Sequence, residues 1–244
     1  LSIVIPAFNE EHRLRSSLES VSRYFEARSI PTEIVVVDDG STDGTAQTAA
    51  NMTGFDPFWV KIRVLKNRSN RGKGFSVRRG MLESRGLFAL LTDADLSTPI
   101  EEFSKLESAV MDGSFRLAIG SRDMEGSRVE VHQSLVRENS GRLFNQCVRL
   151  LFPLKLHDTQ CGFKLFSMQK CRRIFELQQL ERFAFDVEIL FIAHKLGLAI
   201  GEIPIVWRHA EDSTLSFFRD GPKMLWDLLK IRWFSLTGRY SLDE

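Results

Sequence analysis

Two aspartates that follow an apolar run have the residue types and spacing best suited to chemistry. Asp93 and Asp95 come directly after residues 87–92, which have the length and apolarity of a buried strand. If that strand is parallel and central, its carboxyl end is where open α/β sheets bind ligands. Carboxylate oxygens suit a divalent cation, and such a cation can hold a diphosphate. The structural alternative is a turn, in which Asp95 caps a helix that begins near Pro99.

Other predicted elements would bring further polar loops to the same place. Buried-strand patterns occupy residues 2–8, 33–37 and 61–65, helical spacing follows them, and a fifth strand is expected at 115–120. Strands that alternate with helices predict an α/β fold, a doubly wound and mostly parallel sheet with helices on both faces. The polar, acidic or glycine-containing loops at the strand ends would then converge on one edge and form one site.

The second half of the chain departs from this alternation. Helical spacing runs over 133–152, with four side chains available for burial: Leu143, Cys147, Leu150 and Leu151. A late strand at 199–207 contains Pro204, which predicts an edge or irregular strand. Because no internal repeat or low-complexity linker interrupts the sequence, we expect a main domain over 1–210 and an extension of the same domain over 211–244.

The extension has the pattern of an amphipathic helix. Lys223, Asp227 and Lys230 would share a narrow polar stripe, whereas Trp226 and Trp233 fall in a wide apolar arc. This helix could pack against the core, or it could lie in a membrane interface with tryptophan and lysine at headgroup depth. The combined cost of burying two tryptophans and a nearby arginine favours the interface.

Composition narrows the classes of function. The chain has 33 lysines and arginines against 32 aspartates and glutamates, so a net charge of +1 predicts no general attraction to nucleic acid. The three cysteines are odd in number and lack metal-ligand spacing, which is typical of reduced structural thiols. No apolar run reaches the roughly 18 uncharged residues that a spanning helix needs.

Four motifs resemble the inverting family 2 glycosyltransferases, which have the Rossmann-like GT-A fold. They are Ile-Pro-Ala-Phe-Asn-Glu at 5–10, Val-Asp-Asp-Gly-Ser-Thr-Asp at 37–43, Asp-Ala-Asp at 93–95 and Gly-Ser-Arg at 120–122. In the second half, residues 158–166 and 185–188 are similar to members of this family that transfer glucose from UDP-glucose to a dolichyl or other polyprenyl phosphate. The resemblance implies a metal-dependent enzyme at the cytoplasmic side of a membrane, peripheral or anchored by a further segment.

The resemblance also implies roles on the donor side. Three residues would help line the nucleotide pocket: Pro6, Phe8 and Glu10. Asp39 would accept a hydrogen bond from the base, Asp93 would contact ribose or metal, and Asp95 would ligate Mg²⁺ or Mn²⁺ directly. The ion would act as a Lewis acid for the departing UDP.

On the acceptor side, the family places a phosphate-binding arginine at Arg122, and Arg137 with Ser140 would hold the acceptor phosphate. Arg137 could equally lie on a solvated helix face. Arg208 is a further candidate phosphate contact. Asp158 is the candidate general base, but a phosphate monoester is already mostly a dianion at pH 7. Asp158 could therefore instead position sugar hydroxyls or order its loop.

Three further features have simpler interpretations. Cys161 is expected to pack rather than react, since direct displacement requires no covalent intermediate. Lys73 could approach the diphosphate, but a loop lysine usually faces solvent. The stretch 211–214 is acidic where the family has a basic residue, so Arg208 and His209 would have to supply that charge.

Two functional alternatives stay open at this point. A family 2 transferase could use another nucleotide sugar, such as GDP-mannose or UDP-GlcNAc, or a non-lipid acceptor. A nucleotide-sugar binding module without activity is the other alternative, although the presence of both Asp93 and Asp95 favours an enzyme.

Overall fold

The computed structural model describes residues 1–130, 135–208 and 217–241; of residues 135–140, 142 and 217–220 it describes the backbone alone. The strands are β1 (Ser2–Ala7), β2 (Thr32–Asp38), β3 (Val60–Lys66), β4 (Phe88–Leu91), β5 (Leu117–Ser121), β6 (Arg128–Val129), β7 (Lys164–Ser167), β8 (Ile200–Pro204) and β9 (Val206–Trp207). The helices are α1 (Glu11–Ala27), α2 (Thr45–Ala50), α3 (Lys73–Glu83), α4 (Phe103–Met111), α5 (Leu135–Leu151), α6 (Met168–Leu177), α7 (Phe185–Lys195) and α8 (Phe217–Leu236).

Seven of these strands form one sheet in the order β3-β2-β1-β4-β7-β5-β8. All neighbours in it are parallel except β7, which runs antiparallel to both β4 and β5. The predicted mostly parallel sheet is therefore confirmed. β8 is the outer strand and ends at Pro204, as the proline predicts, and β6 pairs with β9 in a separate two-stranded sheet.

Successive side chains of the central strands alternate between two hydrophobic cores. In β2, Val35 and Val37 contribute to the core that includes residues of α3 and α5–α8, whereas Ile34 and Val36 contribute to the core that includes residues of α1 and α4. Because the strands are buried on both faces, their sequences are continuously apolar rather than alternating. Helices on both faces confirm the predicted doubly wound arrangement.

The prediction of which α5 side chains are buried was wrong for two leucines. Phe144 and Val148 enter the core, whereas Leu143 and Leu150 are 57% and 86% exposed. The sequence of α5 has apolar residues on more than one side, so the buried side is decided by the packing of α5 against α8.

The helix α8 has two apolar sides. One side packs in the core through Met224, Leu228 and Ile231. The other is exposed and comprises Leu225, Trp226, Leu229, Trp233 and Leu236, which fall within an arc of about 100°. We call these five residues the exposed α8 face. Among the helices that the structure describes, none has the length and apolarity needed to cross a bilayer.

Candidate active site

The loops at the strand ends converge on one edge of the sheet, as the sequence predicts. β1, β2, β4 and β5 end there, and the antiparallel β7 begins there at Lys164, whose register partners are Leu91 and Ile119. Two residues at this edge have left-handed backbone, Asn9 with a φ of 56° and Leu96 with a φ of 46°. Asparagine tolerates this conformation, whereas for leucine it costs on the order of 1 kcal/mol, and such strain concentrates at functional sites.

Asp93 forms an ion pair inside this site. Its Oδ1 atom lies 2.6 Å from Nζ of Lys73, the first residue of α3. Burial raises the pKa of the Asp93 carboxyl, but the Lys73 ammonium, helped by the charges of Lys164 and Arg122, leaves this pKa below its usual value. Lys73 itself is only 25% exposed, so the interpretation of Lys73 as a solvent-facing loop lysine was wrong.

Gly162 allows a second loop to approach Asp93 closely. A Cβ atom added at Gly162 would lie 2.1 Å from Oδ2 of Asp93, a distance that no real side chain tolerates. The chain between Asp158 and β7 therefore packs directly against the Asp93 carboxylate, and Lys73 holds the carboxylate from α3.

Asp95 lies beside this pair and has different contacts. Its Oδ1 atom accepts a hydrogen bond from the backbone N–H of Ser97, at 3.0 Å. The helical turn at Ile100–Glu102 follows Pro99 and receives no side-chain cap, so Asp95 is not held there as a capping residue. Within the described ranges, no lysine, arginine or histidine nitrogen lies within 4.0 Å of the Asp95 carboxylate. This carboxylate is the one of the acidic pair whose charge a cation could still neutralise.

Glu10 brings a third carboxylate close to the two aspartates. Nη2 of Arg13 lies 2.8 Å from Oε2 of Glu10. Burial raises the pKa of Glu10, Arg13 opposes this, and the charges of Asp95 and Asp93 raise the pKa further. No set of three histidine, cysteine, aspartate or glutamate side chains in the described part of the chain is arranged to hold a metal. A cation here would need additional oxygen ligands from a bound molecule or water.

Asp158 and Arg122 form a buried bidentate ion pair. Nε of Arg122 donates to Oδ2 of Asp158 at 2.6 Å, and Nη2 donates to Oδ1 at 2.9 Å. The backbone N–H groups of Arg122 and Gln160 donate to the same carboxylate. Burial raises the pKa of Asp158, but the Arg122 charge and these hydrogen bonds lower it below its usual value. Asp158 is fully buried and Arg122 is 29% exposed, so the guanidinium rather than the carboxylate is accessible from solvent.

A second buried ion pair, which the sequence did not predict, lies next to these groups. Nζ of Lys164 is fully buried and lies 2.5 Å from Oδ1 of Asp186, on α7, and 2.5 Å from the carbonyl oxygen of Cys161. Burial raises the pKa of Asp186, although Lys164 and Lys73 act in the opposite direction. A lysine followed by two large apolar residues in a short strand was the signal that could have revealed the pair.

The thiol of Cys161 packs, as predicted. Cys161 is 2% exposed, and burial raises the pKa of its thiol to about 11. The thiol is therefore neutral at pH 7 and a poor nucleophile.

The residues expected to line the nucleotide pocket lie at the same edge. Pro6 is buried within β1, and Phe8 is half-buried just beyond it. Asp39 is 3% exposed and its carboxylate accepts three hydrogen bonds, from Nδ2 of Asn67 at 2.7 Å and from the backbone N–H groups of Arg71 and Gly72 at 3.0 and 2.7 Å. These bonds fix the loop that leads to Lys73. A contact between Asp39 and a nucleotide base stays a prediction.

Of the three residues expected to hold the acceptor phosphate, only Arg208 has a described side chain. Arg208 donates from Nε to Oε2 of Glu130 at 2.6 Å, and its backbone N–H donates to the carbonyl of Ser97 at 2.7 Å, next to the loop that carries Asp95. The backbone of Arg137 and Ser140 lies in α5, but their side chains fall outside the described part of the structure, as do residues 209–216.

Comparison with known proteins identifies the family of the chain. The family model "Glycosyl transferase family 2" matches residues 2–175. The chain is 36% identical over 253 residues to a dolichyl-phosphate beta-glucosyltransferase of Dictyostelium discoideum and 37% identical over 257 residues to that of Homo sapiens. These alignments cover 100% of this chain and 77% and 78% of the relatives.

Solved structures share the fold at lower identity. Mannosyl-3-phosphoglycerate synthase from Rubrobacter xylanophilus superposes with a TM-score of 0.67 at 21% identity, covering 100% of this chain and 76% of that one. Glucosyl-3-phosphoglycerate synthase from Mycobacterium tuberculosis, in complex with Mn²⁺, UDP-glucose and glycerol 3-phosphate, gives 0.64 at 19% identity, with 100% and 80% covered. From its sequence match and its fold, the chain belongs to glycosyl transferase family 2 and is a glycosyltransferase.

Proposed function

We propose that this protein transfers glucose from UDP-glucose to a dolichyl or other polyprenyl phosphate, with inversion at the sugar, at the cytoplasmic side of a membrane. The observation that carries the proposal is the pairing of Asp93 with Lys73 beside an Asp95 carboxylate that has no basic nitrogen within 4.0 Å among the described residues. Relatives named as dolichyl-phosphate beta-glucosyltransferases, at 36% and 37% identity over the whole chain, support the choice of sugar and acceptor.

The donor half of the site fits a divalent cation and a diphosphate. Asp95, with Asp93 beside it, offers the hard oxygen ligands that Mg²⁺ and Mn²⁺ prefer, and the diphosphate would complete the set. The ion would supply Lewis-acid stabilisation of the charge on the leaving UDP. Lys73 neutralises Asp93 and keeps it in place, so the acidic pair carries one net negative charge rather than two.

The acceptor half of the site needs to orient a phosphate rather than deprotonate it. A phosphate monoester is mostly a dianion at pH 7 and can attack without a general base. Arg122 offers a guanidinium of fixed orientation, held by Asp158 from behind, and the fork of arginine suits phosphate oxygens. Asp158 therefore serves as the residue that orients Arg122.

A polyprenyl phosphate must be reached at a membrane surface. The exposed α8 face offers Trp226 and Trp233, which are 61% and 63% exposed, and α5 adds Leu143 and Leu150 on the neighbouring helix. Tryptophan is preferred at the boundary between headgroups and acyl chains. Phe234, on the same helix, is instead half-buried and packs edge-on against Tyr240.

The direct test offers UDP- and GDP-sugars to the protein with polyprenyl phosphate, with and without Mn²⁺. We expect Mn²⁺-dependent consumption of UDP-glucose that requires the lipid phosphate. Asp95→Asn should stay folded and lose this turnover by at least about a hundredfold, a typical effect of removing a group that organises charge stabilisation. Asp112→Asn is the matched control, because Asp112 also accepts a hydrogen bond from the backbone N–H two residues on, at Ser114, but lies in an exposed loop.

Three results would contradict the proposal. Turnover of UDP-glucose with a soluble phosphate ester but not with the lipid would show that the proposed acceptor is wrong. Turnover of GDP-mannose alone would show that the proposed donor is wrong. Full activity of Asp95→Asn in the presence of a chelator would remove the metal role of the acidic pair.

A further inference from the structure

The chain returns to the core after α8 through a glycine-dependent turn. Gly238 has a φ of 78°, and the backbone N–H groups of Thr237 and Arg239 donate to the carbonyls of Trp233 and Phe234, both at 2.9 Å. This geometry is a helix end closed by a left-handed glycine. The turn places Tyr240, which is 1% exposed, inside the core next to α7.

Tyr240 meets a carboxylate that the reaction does not use. Its hydroxyl donates to Oε1 of Glu188 at 2.6 Å, and Glu188 is fully buried on α7. The same carboxylate accepts from the backbone N–H of Gln179 at 2.9 Å and from that of Leu180 at 2.8 Å. Three donors on a buried carboxylate fix the segment 178–182, which links α6 to α7, relative to the turn after α8.

This segment is in turn the surface on which the start of α3 rests. Nε2 of Gln178 donates to the carbonyl of Gly74 at 2.9 Å, and the backbone N–H of Phe75 donates to the carbonyl of Glu181 at 2.9 Å. A Cβ atom at Gly72 would lie 2.5 Å from the Glu181 carbonyl oxygen, and one at Gly74 would lie 2.7 Å from that of Leu180. The first turn of α3 therefore has no freedom to move unless segment 178–182 moves as well.

The first turn of α3 carries the donor half of the site. Lys73 pairs with Asp93, and the N–H of Gly72 holds Asp39. We propose that Glu188 is a positioning residue for nucleotide-sugar binding. Locked by Tyr240, it holds segment 178–182 and so sets the position of Lys73 opposite Asp93. This inference rests on the proposed function for the identity of the donor, and it links the C-terminal helix to the donor pocket.

Two variants test the link without removing any group that touches substrate. Tyr240→Phe deletes one hydroxyl and keeps the ring, and Glu188→Gln keeps the shape but exchanges one acceptor oxygen for an amide NH₂. Loss of a hydrogen bond to a buried carboxylate is worth about a tenfold change in an equilibrium. For both variants we expect KM for UDP-glucose to rise about tenfold, whereas kcat and KM for polyprenyl phosphate change less than about twofold. Tyr24→Phe is the matched control, since Tyr24 is the other tyrosine of the chain and packs against the opposite core.

Hydrogen exchange gives a readout that does not depend on the substrate. In both variants the amides of Gln179, Leu180 and Phe75 should exchange about tenfold faster, and amides of α1 should not. Donor KM unchanged in folded Tyr240→Phe and Glu188→Gln, or equal increases in both KM values, would overturn the positioning role. If wild-type protein fails to consume UDP-glucose, the proposed function falls, and unchanged exchange at Phe75 in the variants would then refute the inference separately.

Discussion

At the scale of single residues, the site contains two ion pairs and one carboxylate, that of Asp95, which has no basic partner within 4.0 Å among the described residues. Lys73 faces Asp93 and Arg122 faces Asp158, both at 2.6 Å. Buried ion pairs are costly to desolvate, and their geometry must be good for them to persist. Asp95 has no such basic partner among the described residues, and this difference separates the carboxylate available to a cation from the carboxylates that organise the site.

Asp158→Asn tests whether Asp158 orients Arg122. The amide cannot accept from the guanidinium at both positions, so we expect kcat to fall about a hundredfold while metal-dependent UDP binding is kept. Removing one partner of a buried pair should also lower the free energy of unfolding by about 3 kcal/mol. Isothermal titration with UDP and Mn²⁺, steady-state rates and chemical denaturation measure the three effects. Turnover equal to wild type would remove Asp158 from the site.

Glu188 should give the protein a distinct pH dependence of stability. Burial raises the pKa of Glu188 to about 7, although Tyr240 and two backbone amides oppose the rise, and Asp227 adds to it. The ordinary value is 4.5, so between pH 4.5 and about 7 the folded state holds a proton that the unfolded state has released. The stabilisation of the folded state by this proton is fully present below pH 4.5 and is lost as the pH rises through 7.

Wild type and Glu188→Gln should therefore differ in how their free energies of unfolding change with pH. Glutamine does not titrate, so the variant should gain in free energy of unfolding relative to wild type between pH 5 and pH 8. Chemical denaturation at both pH values measures the gain. Parallel pH profiles for the two proteins would show that Glu188 does not titrate in this range.

At the scale of elements, the sequence predicts those strands that a local apolar pattern specifies. The five parallel strands expected at 2–8, 33–37, 61–65, 87–92 and 115–120 all form, because continuous apolar runs between polar loops are sufficient to specify them. The position of β7 between β4 and β5 depends on pairing with strands that are distant in sequence, so the four residues of β7 could not predict it. The ion pair of Lys73 with Asp93 also depends on tertiary contact, so the spacing of Asp93 and Asp95 was visible in the sequence whereas the basic partner of Asp93 was not.

Gly162→Ala tests how closely the loop before β7 must approach the acidic pair. The added methyl would lie 2.1 Å from Oδ2 of Asp93, so either the loop or the carboxylate must move. We expect metal-dependent UDP binding to weaken at least about tenfold, as seen by titration calorimetry. Gly141→Ala on α5 is the control, because nothing lies within 4 Å of its added Cβ and helix propensity favours alanine. Equal binding by both variants would mean that this approach is not needed.

At the scale of the whole molecule, the charges nearly balance, whereas basic and exposed apolar side chains lie next to each other at α8. A net charge of +1 gives no long-range pull toward an anionic surface. Any such attraction would therefore be local. Arg182, Lys223 and Lys230 line a groove of about 370 Å³ beside Trp226, together with Asp227, which pairs with Lys230 at 2.8 Å. Basic side chains next to exposed tryptophan are the combination that anionic membrane interfaces favour.

Vesicle flotation tests whether the exposed α8 face attaches the protein to a membrane. Because core packing of α8 uses Met224, Leu228 and Ile231, changing Trp226 and Trp233 to alanine removes interfacial area without emptying the core. We expect the wild type to float with vesicles, more strongly when they contain anionic lipid, and the double variant to bind at least about tenfold more weakly. Phe58→Ala is the control, since Phe58 is 69% exposed and lies beside Trp59 in the opposite core. If the double variant floats as well as Phe58→Ala, the exposed α8 face does not attach the protein to the membrane, and the proposed approach of a lipid phosphate to Arg122 from this side is wrong.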